Sequence, residues 1–252
     1  LTYEWFVDEG SGASSVVDGG VYSGQGSPVL QLTGADRNYN MNRYYVRVSG
    51  ECLPWVQSNL VFLYVENPPE IQIQPENDTV CEYNTATFTV NATGTTLGYQ
   101  WYESTDGVSF NPISDGGFYI GSNTQSLNIF NVDRTYDGYL YRVVVSGACT
   151  PQEQSLDVKL TVRSSPVITV QPTDVTNCDG EQAEFSVTAE GSELMYQWKV
   201  NRNDGNGYVN ILDTDADYTG ALTSTLTKLV CDDVTDNGFS FRVQVSGPCA
   251  PS

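Results

Sequence analysis

Gly138-Tyr139-Leu140-Tyr141-Arg142-Val143-Val144-Val145-Ser146-Gly147-Ala148-Cys149 decides the fold, because its closing motif occurs three times. Val145-Ser146-Gly147-Ala148-Cys149 returns as Val48-Ser49-Gly50-Glu51-Cys52 and as Val245-Ser246-Gly247-Pro248-Cys249. Upstream of each lies an aromatic anchor: Tyr3-Glu4-Trp5, Tyr99-Gln100-Trp101 and Tyr196-Gln197-Trp198. A third pair of landmarks opens two of the units, Ile73-Gln74-Pro75 with Val80-Cys81 and Val170-Gln171-Pro172 with Asn177-Cys178. Ordered landmarks at one period, just under a hundred residues, make this a tandem repeat.

Within a repeat the hydrophobic period is two. Thr87-Phe88-Thr89-Val90-Asn91-Ala92 alternates, Gly98 punctuates, and Tyr99-Gln100-Trp101-Tyr102 starts the next run. Ser104-Thr105-Asp106-Gly107 supplies a turn with a residue suited to positive φ. Ser126-Leu127-Asn128-Ile129-Phe130 and Leu156-Asp157-Val158-Lys159-Leu160-Thr161-Val162 alternate again, and no stretch carries a helical period. About seven short strands in roughly a hundred residues predict an all-β chain of tandem immunoglobulin-like β-sandwiches, and short Pro-bearing linkers predict that they form an extended rod.

Trp5, Trp101 and Trp198 occupy the core position of the third strand, which argues against a sugar-stacking role for them. Tyr141 stands where such domains place a corner tyrosine, with Tyr44 and Phe241 as its counterparts, and Phe241 has no hydroxyl to bond. Val143 occupies the place of the second core cysteine of antibody domains, so that inter-sheet bridge is not expected. The composite pattern of Tyr-Gln-Trp, Tyr-x-Gly and Arg-Val-x-Val-Ser-Gly-x-Cys resembles repeats of very large Bacteroidetes surface proteins, the SprB-like gliding-motility adhesins and other type IX secretion substrates. The resemblance spans the whole chain. It implies a cell-surface location and, as partners, neighbouring repeats, the cell envelope and surface glycans.

Laid on the period, the repeats divide at 1–66, 67–163 and 164–252. The first is expected to lack strands A and B and the last to lack strand G, as in a piece excised from a longer polypeptide. The linkers are Asn67-Pro68-Pro69 and Ser164-Ser165-Pro166.

Six cysteines with no Cys-x-x-Cys pair read as disulfides from an oxidising compartment. The cysteine after strand F (Cys52, Cys149, Cys249) lies at the N-terminal pole of its sandwich, and the one before strand B (Cys81, Cys178) at the opposite pole. At roughly 3.3 Å per strand residue the poles lie too far apart to bridge, because a disulfide needs Cα atoms within about 7 Å. Cys81–Cys149 is therefore disfavoured, and Cys81–Cys249 is expected where one repeat's C-terminal pole meets the next repeat's N-terminal pole. Cys231, at the end of strand E beside the start of strand B, is expected to pair with Cys178. Cys52 and Cys149 are left for partners upstream. Free or irregularly paired thiols are the alternative.

Composition excludes several function classes. Thirty-one acidic residues against eleven basic ones give a net charge of −20, which disfavours nucleic acid and anionic lipid as partners. With no histidine, the chain lacks the usual general base, triad imidazole and zinc ligand. No run of 18 apolar residues spans a bilayer. Asp213-Thr214-Asp215-Ala216-Asp217 and Cys231-Asp232-Asp233 offer oxygens that Ca²⁺ accepts, yet without the glycine and terminal glutamate of an EF-hand loop they read as solvated loop charge. No cofactor and no catalytic group is called for. Trp55 is the one tryptophan outside the repeat pattern, and Asn77-Asp78-Thr79 and Asn91-Ala92-Thr93 are sequon-like. Asp78-Thr79-Val80 resembles the O-glycosylation motif of Bacteroidetes secreted proteins. The expected function is a structural or adhesive repeat region of a secreted surface protein. The alternatives are a glycan- or protein-binding module and a spacer in a secreted multidomain enzyme.

Overall fold

The computed structural model describes residues 1–52 and 54–250; Leu53, Pro251 and Ser252 lie outside the described residues. Apart from two three-residue 3-10 turns, Arg37–Tyr39 and Arg134–Tyr136, every regular element described is a β-strand. No helix among the described residues is long and apolar enough to cross a membrane. By contact the chain forms two compact units. One comprises Leu1–Gln74, Val90–Gln100 and Val143–Ser155, and the other Pro75–Thr89, Trp101–Arg142 and Leu156–Ser252.

In the first unit, Thr2–Asp8 lies between Ala13–Ser15 and Arg43–Ser49, and Val56–Gln57 and Val61–Phe62 both pair with Arg43–Ser49. Trp5 stands opposite Val46 and Phe6 opposite Tyr45, where the two rings stack at 4.9 Å. The core cluster beneath this sheet is small: Val7, Val16 and Tyr44 are buried, with Trp5, Tyr22 and Leu63 partly buried against them. Glu70–Ile73 pairs with Asn91–Thr93 through a bulge between Asn91 and Ala92.

The second unit is better filled. Met195–Asn201 pairs with Ser240–Ser246 along its whole length and with Val209–Asn210 on its other edge. A separate sheet orders Ala183–Ser186, Thr225–Lys228 and Tyr218–Thr219. Between them Trp198, Val200, Ile211 and Leu226 are fully buried. Ala86–Thr89, Ser126–Ile129 and Tyr119–Ile120 repeat that three-stranded sheet, and Phe88 stacks on Tyr141 at 4.9 Å beside Trp101.

One sheet orders Asn111–Pro112, Gly98–Ser104, Leu140–Ser146, Val158–Arg163 and Asp78–Cys81, the last pair running parallel. Leu140–Ser146 shows how the sequence period becomes burial: Tyr141, Val143 and Val145 are fully buried and alternate with half-buried neighbours.

Each anchor tryptophan is tied down the same way. The indole N–H donates to a loop carbonyl: Trp5 to Ser27 at 3.0 Å, Trp101 to Thr124 at 2.9 Å and Trp198 to Thr223 at 3.0 Å. That carbonyl belongs to a tight turn opened by Gly24, Gly121 or Gly220, all at positive φ. A Cβ on Gly121 would lie 2.1 Å from the Ser126 carbonyl oxygen. Gly121→Ala is therefore expected to destabilise by about 3 kcal/mol in urea denaturation, combining left-handed strain with a backbone clash. Gly107→Ala, also at positive φ but with nothing within 4 Å, is expected to cost about 1 kcal/mol. Equal losses at both positions would refute the clash.

Tyr141 departs from the corner role. It is fully buried, and among the described residues its hydroxyl makes no bond back to the main chain, lying instead by the Tyr119 hydroxyl. The ring is drawn inward onto Phe88. In its counterpart, Tyr44, the hydroxyl lies 3.2 Å from that of Tyr22. Burial pushes the Tyr22, Tyr119 and Tyr141 hydroxyls above the ordinary tyrosine range.

Candidate functional site

The chemistry-bearing feature is a cysteine bridge built on the strand Asp78–Cys81. Two side chains set that strand in place. The Asn77 amide oxygen accepts from the Lys159 N–H at 2.7 Å, and the Asp78 carboxylate accepts from the Thr87 N–H at 2.9 Å. The strand then runs parallel to Val158–Arg163, with Asp78 opposite Leu160 and Cys81 opposite Arg163. The Glu82 N–H donates to the Arg163 carbonyl at 2.8 Å, and Cys249 Sγ lies 3.6 Å from that same oxygen. Cys81 and Cys249 are joined in a disulfide, Cα to Cα 5.7 Å, and Cys249 is almost wholly buried. This is the pairing that the pole argument selects.

Close approach of backbone to backbone brings Cys249 there. A Cβ on Gly247 would lie 2.9 Å from the Ser192 carbonyl. The Ser165 hydroxyl donates to the Ala250 carbonyl at 2.5 Å. Arg163 also forms an ion pair with Glu193 at 2.5 Å, and Arg134 donates to the Val162 carbonyl at 2.9 Å.

The first unit contains the same arrangement around Cys149. Its Sγ lies 3.5 Å from the Glu66 carbonyl, as Cys249 Sγ lies from that of Arg163. The Thr95 N–H donates to the Asn67 carbonyl and the Asn67 N–H to the Thr95 hydroxyl, at 3.1 and 3.0 Å. Ser192 and Ser164 make the corresponding pair of bonds at 3.2 and 3.0 Å. The two Pro-bearing linkers are thus clamped alike, but the Cys149 thiol is free.

Cys52, Cys178 and Cys231 also carry free thiols. Cys178 and Cys231 line one cleft with Lys228 and Asp236. Around them the Gly180 N–H donates to the Cys231 carbonyl and the Cys231 N–H to the Glu181 carbonyl, both at 2.8 Å.

The carboxylates take structural roles. Asp179, Asp232 and Asp233 can bring ligand atoms within 4.8 Å of one another, and all three are exposed. Asp232 accepts from the Thr235 and Val234 N–H groups, bonds that hold its carboxyl below the usual range. In the other acidic run, Asp215 lies 3.7 Å from Arg202 and Asp217 lies 3.9 Å from Lys228. Sequence reading missed that Lys228 is buried, 3.3 Å from Asp236 and over the Tyr218 ring.

Trp101 and Trp198 are fully buried and offer no face to a sugar. Trp5 is half-buried, and Trp55 is about half exposed with the Arg47 guanidinium 4.3 Å from its ring.

Residues 72–164 match a family model described as a domain of unknown function (DUF8696). No curated protein matches the sequence. Among solved structures, an I-band fragment from titin superposes with a TM-score of 0.64 at 14% identity, covering 98% of this chain and 84% of that one. Sidekick-1 immunoglobulin domains 1–4 superpose with a TM-score of 0.55 at 16% identity, covering 98% of this chain and 64% of theirs. At such identity the likeness concerns fold alone. With the strand content it makes the chain a tandem array of immunoglobulin-like β-sandwiches.

Proposed function

We infer that the chain is a spacer and adhesive repeat region of a large secreted cell-surface protein, divided into repeats at 66/67 and 163/164. The observation that carries the reading is the covalent bridge from Cys81 to Cys249, whose surroundings recur around Cys149. A device that fastens one repeat to the next, repeated along a chain, serves holding and spacing rather than chemistry. The bridge also fits an oxidising, extracytoplasmic setting, and the charge of −20 keeps such surfaces soluble and mutually repelling. Its partners on this reading are neighbouring repeats, the cell envelope and surface glycans, with gliding motility one use of such an array. Cys178 and Cys231, whose thiols are free in the structure but line one cleft, are the pair that closes a second bridge within the third repeat on oxidation.

Protease shaving of intact source cells tests the location: peptides of this chain are expected in the supernatant before lysis. Their release only after lysis would discard the surface reading. Non-reducing peptide mapping of the same material is expected to return Cys81–Cys249 and Cys178–Cys231. Full alkylation of Cys178 and Cys231 without reductant would remove the second bridge.

A further inference from the structure

One spot in the third repeat carries charge where the other two repeats carry rings and aliphatic chains. Lys228 stands opposite Tyr218 across a strand pair, as Ile129 stands opposite Tyr119 and Leu32 opposite Tyr22. Asp217 precedes that tyrosine, and its carbonyl accepts from the Leu229 N–H at 2.9 Å. The Phe118 and Val21 carbonyls accept in the same way from Phe130 and Thr33. Asp236 sits in the loop that follows, where its carbonyl accepts from the Phe239 N–H at 3.0 Å. The Tyr136 carbonyl does so from Tyr139 and that of Tyr39 from Asn42. Val21, Leu32 and Tyr39 in the first repeat, and Phe118, Ile129 and Tyr136 in the second, thus become Asp217, Lys228 and Asp236 in the third. The elements that carry these positions are present in all three repeats.

The exchange sets an amine against a carboxyl inside the protein. Only 9% of the Lys228 side chain and 18% of the Asp236 side chain is exposed, and Lys228 Nζ lies 3.3 Å from Asp236 Oδ2. The Asp232 N–H donates to that same oxygen at 3.0 Å. Asp217 Oδ2 lies 3.9 Å from Nζ on an exposed side chain. Withdrawing two opposite charges from water is costly even when they pair, and an amide carries neither charge. We propose that Lys228 and Asp236 are a covalent cross-link site, which closes an amide between Nζ and Cγ within the third repeat. Held in contact, the two groups react without the entropy cost of an encounter. Lys228 Nζ passes a proton to the Asp217 carboxylate and attacks Asp236 Cγ, forming the C–N bond. Negative charge gathers on Oδ2, where the Asp232 N–H stabilises it. The proton on Asp217 and a second from Nζ go to Oδ1, the Cγ–Oδ1 bond breaks, and water departs. Ammonium and carboxylate thus become amide and water, Asp217 returns to its carboxylate, and no co-reactant is consumed. The link ties the strand Thr225–Lys228 to the loop before Ser240–Ser246. It requires only the fold of the third repeat, whatever the array does on a cell.

The test is the mass of the intact chain after unfolding, reduction and alkylation. It is expected to be one water lighter than the sequence requires. Chymotrypsin, which cuts after Leu229 and Phe239, is expected to release two peptides joined through Lys228 and Asp236. Lys228→Arg keeps a cation at the site but offers no amine, and that chain is expected at full mass. Asp217→Asn, at an exposed side chain, removes the proton carrier. It is expected to lower the linked fraction at a fixed time after synthesis at least tenfold. A native chain at full mass, or one whose missing water maps to another pair of residues, would overturn the proposal. An Asp217→Asn chain that links at the native rate would equally overturn it.

Discussion

Trp101→Ala is expected to destabilise the second repeat by about 4 kcal/mol, through lost burial of the indole and the cavity it leaves. Trp101 is fully buried beside Phe88, and its N–H holds the Thr124 carbonyl at 2.9 Å. Calorimetry of the whole chain should show one transition move sharply down. Trp101→Phe retains much of the burial but deprives that carbonyl of its donor, and a loss of about 2 kcal/mol is expected. At half-buried Trp5, alanine should cost roughly half as much as at Trp101. A loss below 1 kcal/mol for Trp101→Ala would mean that the core does not depend on its anchor.

The second large effect is that of the bridge. Cys81 and Cys249 are 168 residues apart, and for a loop of that size the chain-entropy relation gives about 5 kcal/mol of stabilisation, acting mainly on the unfolded chain. The doubly substituted Cys81→Ser, Cys249→Ser chain should therefore melt well below the native one. Reductant should lower the native chain to the same point and leave the variant unchanged. A native chain indifferent to reductant would show that these sulfurs are not joined in solution.

Most of the fold was legible because its signals are local and repeated. Period-two burial in Leu140–Ser146, the anchor tryptophans and the Val-Ser-Gly-x-Cys motif need only the chain's own pattern. The Cys81–Cys249 pair was legible for a different reason: strand topology assigns each cysteine to a pole, which disfavours Cys81–Cys149 and leaves Cys249 for Cys81. What escaped depends on contacts distant in sequence. The Tyr141 ring is packed on Phe88, fifty-three residues upstream, and Lys228 is buried beside the Tyr218 ring and the Asp236 carboxylate. The partial burial of Trp5 reflects how few neighbours the first unit gathers around it.

The bridge also reroutes tension. In a chain pulled from its two ends, force that reaches Cys81 crosses the sulfur–sulfur bond directly to Cys249, and the residues between the two carry none of it. At about 3.3 Å per residue, a loop of 168 steps withholds roughly 550 Å of contour from extension. A single molecule stretched in oxidising buffer would therefore lengthen chiefly through its first repeat, and reductant would release the remainder.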